Sequence, residues 1–134
     1  MNKQIKIKHY KNSNGFESWY EYDEKGNEVY YKDSNGFEER SKYDKNGNKI
    51  YVENSDGLKE YYKYDKNNNL IHYKNSNGFE LYYKYKYSEN GKEIHYEDSN
   101  GYESLTEYNK NGNEIHYKDS NGLEYWYEYE YYTD

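Results

Sequence analysis

The chain has 134 residues, a length typical of one domain, and its 26 acidic residues against 19 lysines and arginines give a formal net charge of −7. This acidic balance argues against a nucleic-acid backbone or an anionic membrane as a direct partner, because both require a basic surface. Cysteine is absent, which excludes disulfide bonds, thiolate metal sites and cysteine nucleophiles. No apolar run approaches a membrane span and the N-terminus lacks the apolar segment of a signal peptide, so we expect a protein of the bacterial cytoplasm, or of the host cytoplasm if a phage encodes it.

Tyrosine dominates the composition, with 24 residues, while only 32% of the chain is hydrophobic and proline is absent. Low hydrophobic content favours disorder. Tyrosine opposes that tendency, because it carries a large apolar area and has a high strand propensity. Alanine, the best helix former, is also absent. The composition therefore predicts an all-β protein whose core is built mostly from tyrosine.

Turn glycines recur along the whole chain at intervals of 21 or 23 residues, each preceded by Asn-Ser-Asn, Asp-Ser-Asn or Asn-Ser-Asp. They mark repeats that begin near Gly15, Gly36, Gly57, Gly78, Gly101 and Gly122. A second turn follows most of them, and Asn68 takes the glycine position in one copy because asparagine tolerates the left-handed conformation. We therefore predict one tandem-repeat domain over residues 1–134, an antiparallel meander of about six β-hairpin repeats, either an open twisted sheet or a rolled, closed, barrel-like solenoid.

The fourth repeat is two residues longer than its neighbours, with the extra residues between Tyr85 and Gly91. Side chains alternate between the two faces of a strand with a period of two. An insertion of two residues is therefore expected to lengthen a hairpin arm without exchanging its faces.

Alternate residues of each predicted strand share one side of the sheet. On one side, which we call the tyrosine face, the first repeat places Phe16, Tyr20, Tyr22, Val29 and Tyr31, and the other repeats place equivalent residues. We expect this face to be the buried core, with each tyrosine hydroxyl bonded to a partner or reaching water.

The opposite side, which we call the stripe face, is predicted to be polar except for one row of large side chains framed by charges, in which Arg40 and Leu105 also lie. The predicted partner-binding residues of this row are Trp19, Tyr30, Tyr51, Tyr61, His72, Tyr82, His95, His116 and Trp126. A contiguous exposed aromatic patch usually marks a binding surface. The alternative is that both faces are partly buried because the sheet rolls up or packs on itself.

The unit from Tyr20 to Asn27, Tyr-Glu-Tyr-Asp-Glu-Lys-Gly-Asn, resembles the YD repeat of Rhs-type bacterial proteins, and the likeness extends from about Tyr10 to Tyr132. It implies tandem antiparallel strands, which spiral into a shell in the large members of that family. This chain departs from the pattern, since Asn27 stands where an arginine usually follows the turn, and about six copies are too few to enclose a toxin. The resemblance carries over no catalytic residue. Weaker likenesses are to MORN-type antitoxin repeats and to the aromatic hairpin repeats of cell-wall-binding modules.

Metal and catalytic chemistry find little support in the sequence. The histidines at positions 72, 95 and 116 lie at equivalent places two strands apart, about 9.5 Å, whereas zinc requires its ligands at about 2.1 Å. The loop Asp44–Asn48 is rich in oxygen ligands but lacks the glutamate of a calcium loop, and turn chemistry explains its composition. No nucleophile triad, phosphate loop or dinucleotide motif is present. We therefore expect no enzyme, catalytic residue, cofactor or metal.

The two ends of the chain carry opposite charge. The first segment holds only basic charges, Lys3, Lys6, Lys8 and Lys11, and the last holds only acidic ones, Glu124, Glu128, Glu130 and Asp134. Edge strands are prone to pair. We expect these two to attract each other, either closing one chain into a ring or joining chains head to tail as a homo-oligomer.

These observations predict a non-enzymatic protein-binding inhibitor that blocks a basic, nucleic-acid-processing partner, as bacterial immunity proteins and phage anti-defence (anti-CRISPR-like) proteins do. The bias toward asparagine, lysine and tyrosine is consistent with an AT-rich bacterial or phage genome. The alternatives are a carbohydrate or cell-wall binding module that uses the aromatic row, and a structural YD-repeat fragment.

Overall fold

The computed structural model describes residues 3–133, so Asp134, one of the acidic residues predicted at the last edge, lies outside it. The described residues form twelve β-strands: β1 (Ile7–Lys11), β2 (Glu17–Tyr22), β3 (Glu28–Asp33), β4 (Glu38–Tyr43), β5 (Lys49–Asn54), β6 (Lys59–Tyr64), β7 (Leu70–Asn75), β8 (Glu80–Ser88), β9 (Gly91–Asp98), β10 (Glu103–Asn109), β11 (Glu114–Asp119) and β12 (Glu124–Trp126). The predicted all-β class is confirmed. No helix that could span a membrane occurs in the described part of the chain.

The chain divides into two compact units, Met1–Gly78 with β1–β7 and Phe79–Asp134 with β8–β12. Within each unit every strand pairs antiparallel with the next strand in the chain. Strand β1 pairs with β2 alone and β12 with β11 alone, so the open meander is the form observed. That residues 1–134 are one domain stays a prediction.

The turns form because an aspartate or asparagine side chain replaces missing backbone partners. In the turn after β3, Asp33 Oδ1 accepts hydrogen bonds from the backbone N–H groups of Asn35 (2.9 Å) and Phe37 (3.3 Å). The turn after β2 uses Asp23 in the same way, with Lys25 and Asn27 as donors, both at 2.9 Å. Asn68 has a φ of 64°, which confirms that asparagine serves as the left-handed residue of its turn.

The longer fourth repeat keeps its faces, as predicted. The hairpins β2·β3, β4·β5, β6·β7 and β10·β11 each contain a β-bulge beside the turn. Hairpin β8·β9 has none, and its register runs unbroken from Leu81 opposite Asp98 to Ser88 opposite Gly91. The two additional residues therefore extend both arms of this hairpin and replace the bulge.

The predicted buried core is wrong in its extent. Val52, 7% exposed, is the one buried apolar residue among residues 3–133, and Ser18 and Ser41 are the buried polar ones. Within each unit, the described strands contact only their neighbours in the sheet, so no other described strand of that unit lies over either of its faces. The tyrosine face is half-buried because its side chains shield one another within a single layer, and not because another described strand of the unit packs on top.

Neighbouring tyrosines hold this single layer together. Directly opposed rings lie about 5 Å apart in the pairs Tyr20–Tyr31 (5.1 Å), Tyr62–Tyr73 (5.1 Å) and Tyr83–Tyr96 (5.2 Å). Such pairs contribute about 0.5–1.5 kcal/mol each beyond the area they bury. The hydroxyls also find partners as predicted, with Tyr31 donating to Asp33 (3.1 Å) and Tyr43 to the carbonyl oxygen of Glu28 (2.8 Å).

A reciprocal pair of hydrogen bonds, which we call the serine clasp, ties each repeat to the next. Ser34, which follows β3, donates its backbone N–H to the carbonyl oxygen of Glu17, the first residue of β2 (2.9 Å). The backbone N–H of Glu17 donates in return to Ser34 Oγ (3.0 Å). Four more clasps repeat this geometry: Ser55 with Glu38, Ser76 with Lys59, Ser99 with Glu80, and Ser120 with Glu103.

Candidate protein-binding surface

The strand register places all the predicted partner-binding residues on the stripe face of their own unit. The first unit carries Trp19, Tyr30, Tyr51, Tyr61 and His72, and the second carries Tyr82, His95, His116 and Trp126. Three of them are well exposed, namely Tyr61 (41%), Tyr82 (43%) and Trp126 (65%). The others are half-buried.

Cations on neighbouring strands cover the rings of the first unit. Lys32 Nζ lies 5.0 Å from the ring centre of Trp19, and Arg40 Cζ lies 4.5 Å from that of Tyr30. Tyr51 and Tyr61 are covered in the same way by Lys42 (5.4 Å) and Lys74 (5.1 Å). The stripe is therefore an alternation of aromatic and cationic side chains across the strands, stabilised by cation–π attraction. Such rings present less free face for sugar stacking than a bare aromatic row.

Two tryptophans form the same trio with a histidine and a glutamate. His9 stacks on Trp19 at 4.9 Å and 7°, and its Nε2 lies 2.7 Å from Glu17 Oε2. His116 stacks on Trp126 at 5.0 Å and 4°, and its Nε2 lies 2.8 Å from Oε1 of the glutamate that begins β12. The structure thus brings together two predicted site residues, His116 and Trp126. His9 was missed, although the order His-Tyr-Lys followed by Glu-x-Trp is shared by both ends.

The remaining histidines lie beside cations. His72 is opposite Lys63, and His95 lies between Lys84 and Leu105 on the adjacent strands. The described residues contain no group of three or more histidine, aspartate or glutamate side chains placed to hold a metal ion.

Short serine-containing turns join pairs of adjacent strands within each unit. At each of these pairs but one, a lysine lies opposite a glutamate. We call such a pairing a junction. The compensated pairs are Lys11 opposite Glu17, Lys32 opposite Glu38, Glu53 opposite Lys59, and Lys118 opposite Glu124. In junction β5·β6 both signs are exchanged together, so compensation is kept even where the residues change.

Junction β9·β10 is the exception. Glu97 lies opposite Glu103 and Glu93 opposite Glu107, on either side of the pair His95 and Leu105. We call these four glutamates the acidic junction. Like charges placed directly opposite each other destabilise a sheet.

Relief of this repulsion is incomplete. Lys86 Nζ lies 3.7 Å from Glu93, and His116 Nδ1 lies 3.7 Å from Glu107. Neither Glu97 nor Glu103 has an ion pair within residues 3–133, and both are exposed.

The charge of Glu97 also contributes, as the smallest of several causes, to the raised pKa of a neighbouring tyrosine. The pKa of Tyr82 is raised above its usual value, first by its hydrogen bond to Glu80, then by burial and by the charges of Glu80 and Glu97. At the other side of the acidic junction, an open cavity is lined by His95, Glu103, Leu105, Lys118 and Asp119, together with Ser104 and Ser120. An apolar side chain, a histidine and carboxylates therefore meet at one accessible place.

No protein-family model matches this chain, and no curated protein is significantly similar to it. The likenesses to YD repeats, MORN-type repeats and cell-wall-binding repeats therefore stay predictions.

The acidic junction was present in the sequence but was not singled out. Glu97 and Glu103 stand where other repeats have one lysine and one glutamate. Their apposition becomes visible only when the turn sets which residues face each other.

Proposed function

We propose that this protein is a non-enzymatic binding protein whose stripe face docks onto a basic surface of another protein, with the acidic junction at the centre of the contact. The observation that carries the proposal is the apposition of Glu97 and Glu103, neither of which has an ion pair within residues 3–133, at a position where the other junctions pair a lysine with a glutamate.

One substitution is enough to remove the repulsion between Glu97 and Glu103. A single change of Glu97 to lysine restores the arrangement of the other junctions, and junction β5·β6 shows that the pair can be inverted without loss of pairing. An opposite-charge pair contributes about 0.2–1 kcal/mol to a sheet, whereas like charges directly opposite each other destabilise it. A local pairing that opposes stability is typical of a functional site. Lysines or arginines of a partner remove the repulsion on binding, which favours that partner over an acidic one.

The surroundings provide apolar area for the same contact. Leu105 lies between the two glutamate pairs, and Tyr82 lies directly opposite Glu97 on β8. Aromatic and aliphatic side chains framed by polar groups are typical of protein interfaces.

The biological role we propose is inhibition of a nucleic-acid-processing protein. Such a protein carries a basic surface for the phosphate backbone, and an acidic protein that covers this surface excludes the nucleic acid. The net charge of −7 and the acidic junction support this role. Bacterial immunity proteins and phage anti-defence proteins work in this manner.

An NMR titration with a deca-arginine peptide tests the docking site. We expect the largest amide shifts at β9 and β10, and at least about tenfold weaker binding by the Glu97→Lys variant, since loss of a close charge pair costs more than 1.4 kcal/mol. The matched control is Glu24→Lys, which changes the net charge equally at an exposed turn of the first unit. Equal weakening by both variants, or shifts spread evenly over the acidic residues, contradicts the site.

Capture from a native lysate then tests the partner. The wild-type protein, Glu97→Lys and Glu24→Lys serve as baits. We expect a protein retained by the wild-type and Glu24→Lys baits, lost by Glu97→Lys, and displaced by added nucleic acid. A partner held equally by all three baits, or one indifferent to nucleic acid, argues against the proposed role.

A further inference from the structure

We propose that copies of this chain join head to tail, with β12 of one copy pairing with β1 of the next through a serine clasp. This assembly goes beyond the proposed function, because the acidic junction on β9 and β10 takes no part in it.

The two outer strands each carry one unused half of the clasp. Ser13 follows β1 as Ser34 follows β3, but no earlier strand stands before β1 among the described residues to complete its clasp. Glu124 begins β12 as Glu17 begins β2, and no later strand follows β12 in the described chain. Within residues 3–133, neither residue makes the contact that five equivalent pairs make. Ser13 therefore supplies the half of the clasp that Glu124 lacks, and Glu124 supplies the half that Ser13 lacks.

The backbone groups at both edges point the right way. Tyr22 donates to the carbonyl oxygen of Lys6 (2.9 Å) and Asn12 to that of Phe16 (3.1 Å), so the even-numbered residues of β1 bond to β2. Because alternate residues of an antiparallel strand point to opposite sides, Ile7, His9 and Lys11 present their N–H and C=O groups to the open edge.

Strand β12 has the same arrangement. Tyr127 donates its N–H to the carbonyl oxygen of Ile115 and Asp119 to that of Leu123, both at 3.0 Å. The backbone groups of Glu124, Trp126 and the next even-numbered residue therefore face the open edge. The orphan donors and acceptors of both edges are a ready template for a further strand.

Equivalence with hairpin β2·β3 sets the register between copies. There Trp19 faces Lys32, Tyr20 faces Tyr31 and Glu21 faces Tyr30. The corresponding pairs are Trp126 with Lys11, Tyr127 with Tyr10 and Glu128 with His9 of the next copy. This register repeats the cation–π contact of Lys32 with Trp19 (5.0 Å) and the ring contact of Tyr20 with Tyr31 (5.1 Å).

The exposure and the charges of the two edge strands favour pairing of β12 with β1 of a second copy. Every residue of β1 is exposed, and so are Trp126 (65%) and Tyr127 (51%). The first edge carries only lysines and the last only glutamates among the described charged residues, apart from His9. Two copies of β1 repel each other, and so do two copies of β12, whereas β1 and β12 attract. The charges thus select the head-to-tail pairing.

Sedimentation velocity of the 134-residue chain tests the assembly. We expect species larger than a monomer whose size grows with protein concentration. Ser13→Pro removes the N–H donor and the Oγ acceptor of the clasp, while the turn keeps its bonds, which use Asn12, Asn14, Gly15 and Phe16. Proline is favoured at this second turn position. Association is expected to weaken at least about tenfold, since two hydrogen bonds of about 1 kcal/mol are lost.

The matched control is Glu24→Pro, which places proline at the second position of another exposed turn and leaves the edges intact. We expect its assembly to equal that of the wild type. A chain that stays monomeric at every concentration overturns the proposal, and so does equal association of the two proline variants.

Disulfide trapping tests the register. The chain has no cysteine of its own, so in a mixture of the Tyr10→Cys and Tyr127→Cys variants every disulfide joins introduced cysteines, and an isotope label on one variant identifies the mixed dimer by mass. Residues opposed between hydrogen-bonded pairs have Cα atoms about 4.5 Å apart, which suits a disulfide. We expect several-fold more mixed dimer than from Lys8→Cys with Tyr127→Cys, which share a face but are displaced by two residues. Equal yields overturn the register.

Discussion

Junctions β5·β6 and β9·β10 occupy equivalent places in two repeats and differ in the side chains that face each other. In the first, Glu53 faces Lys59 and two tyrosines pack ring to ring at 5.0 Å. In the second, glutamate faces glutamate twice, and His95 with Leu105 replaces the tyrosine pair. The strands are antiparallel with corresponding registers in both, although β5·β6 pairs over three residues and β9·β10 over seven. The turn sequence and the alternation of residues thus specify the sheet, while the pairs facing each other across it can be chosen for another purpose.

The difference also shows how little burial a junction requires. Val52 in β5 is the one buried apolar residue of the described chain, yet β9 and β10 pair over seven residues without an equivalent. Stability in such a sheet comes from neighbour-to-neighbour contacts, as in other repeat proteins.

The largest expected effect comes from disrupting junction β9·β10 through its backbone. Gly91→Ala would place a Cβ atom 1.8 Å from the carbonyl oxygen of Tyr108, so the end of β9 must move away from β10. We expect a loss of about 3 kcal/mol or more in the free energy of unfolding, measured with urea. Gly26→Ala is the control, since its Cβ meets nothing within 4 Å, and only the positive φ costs it about 1–2 kcal/mol. Equal losses would show that the close approach is unimportant.

The next effect tests the apolar contribution to junction β5·β6. Val52→Ala removes two buried carbon atoms, which predicts a loss of about 1.5–2 kcal/mol in unfolding free energy. Because this contribution is not electrostatic, it should be the same at low and high salt. A loss below about 0.5 kcal/mol would mean that the sheet relaxes around the change.

Smaller changes in the free energy of unfolding are expected when one facing charge of each junction is reversed. The change should stabilise junction β9·β10 and destabilise junction β5·β6. Glu97→Lys should stabilise the protein by about 0.2–1 kcal/mol, and Lys59→Glu should destabilise it by a similar amount. Both shifts in the urea midpoint should shrink in 1 M NaCl, where the screening length is about 3 Å. A Glu97→Lys protein that is less stable than the wild type would contradict the view that the acidic junction is kept against stability.

The smallest effect is a difference in acid sensitivity between the units. The pKa of Asp23 is lowered by hydrogen bonds from the side chain and backbone of Asn27, and that of Asp65 chiefly by the backbone N–H of Asn69. For Asp44, burial raises the pKa but the hydrogen bonds from Asn48 outweigh it. The equivalent residue of the second unit is Asn109, which accepts the same two backbone hydrogen bonds without a charge. In that unit, burial raises the pKa of Asp119, but hydrogen bonds from the Leu123 backbone and the Tyr117 side chain outweigh it and lower that pKa.

The sign follows from the lowered pKa. An aspartate with a folded pKa below its usual 3.8 stabilises the fold above that value and loses the contribution as pH falls through the folded pKa. Below about pH 4 we expect the first unit to weaken more than the second. The fluorescence of Trp19 follows unfolding of the first unit and that of Trp126 follows unfolding of the second, each in a variant whose other tryptophan is changed to phenylalanine. Asp44→Asn should reduce the difference, and equal acid responses of the two units would contradict it.

Much of the fold was predictable because its causes are local. Asparagine, aspartate and glycine at fixed offsets specify the turns, and Asn68 takes the left-handed conformation for the same reason as glycine. Alternation assigned Trp19, Tyr30 and their equivalents to one face. That Val52 would be the one buried apolar residue among residues 3–133 was not predictable, since alternation says that a face is suited to burial but not whether anything covers it.

The residues alone thus determined the strands, the turns, the period of the repeat and the face on which each side chain lies, since these depend on neighbours along the chain. Only the folded structure decided which side chains meet across strands. The cations covering Trp19 and Tyr30, the opposition of Glu97 and Glu103, and the unused clasp residues Ser13 and Glu124 all depend on register. Register is set by the turn and the bulge together, and a shift of one residue would exchange every facing pair.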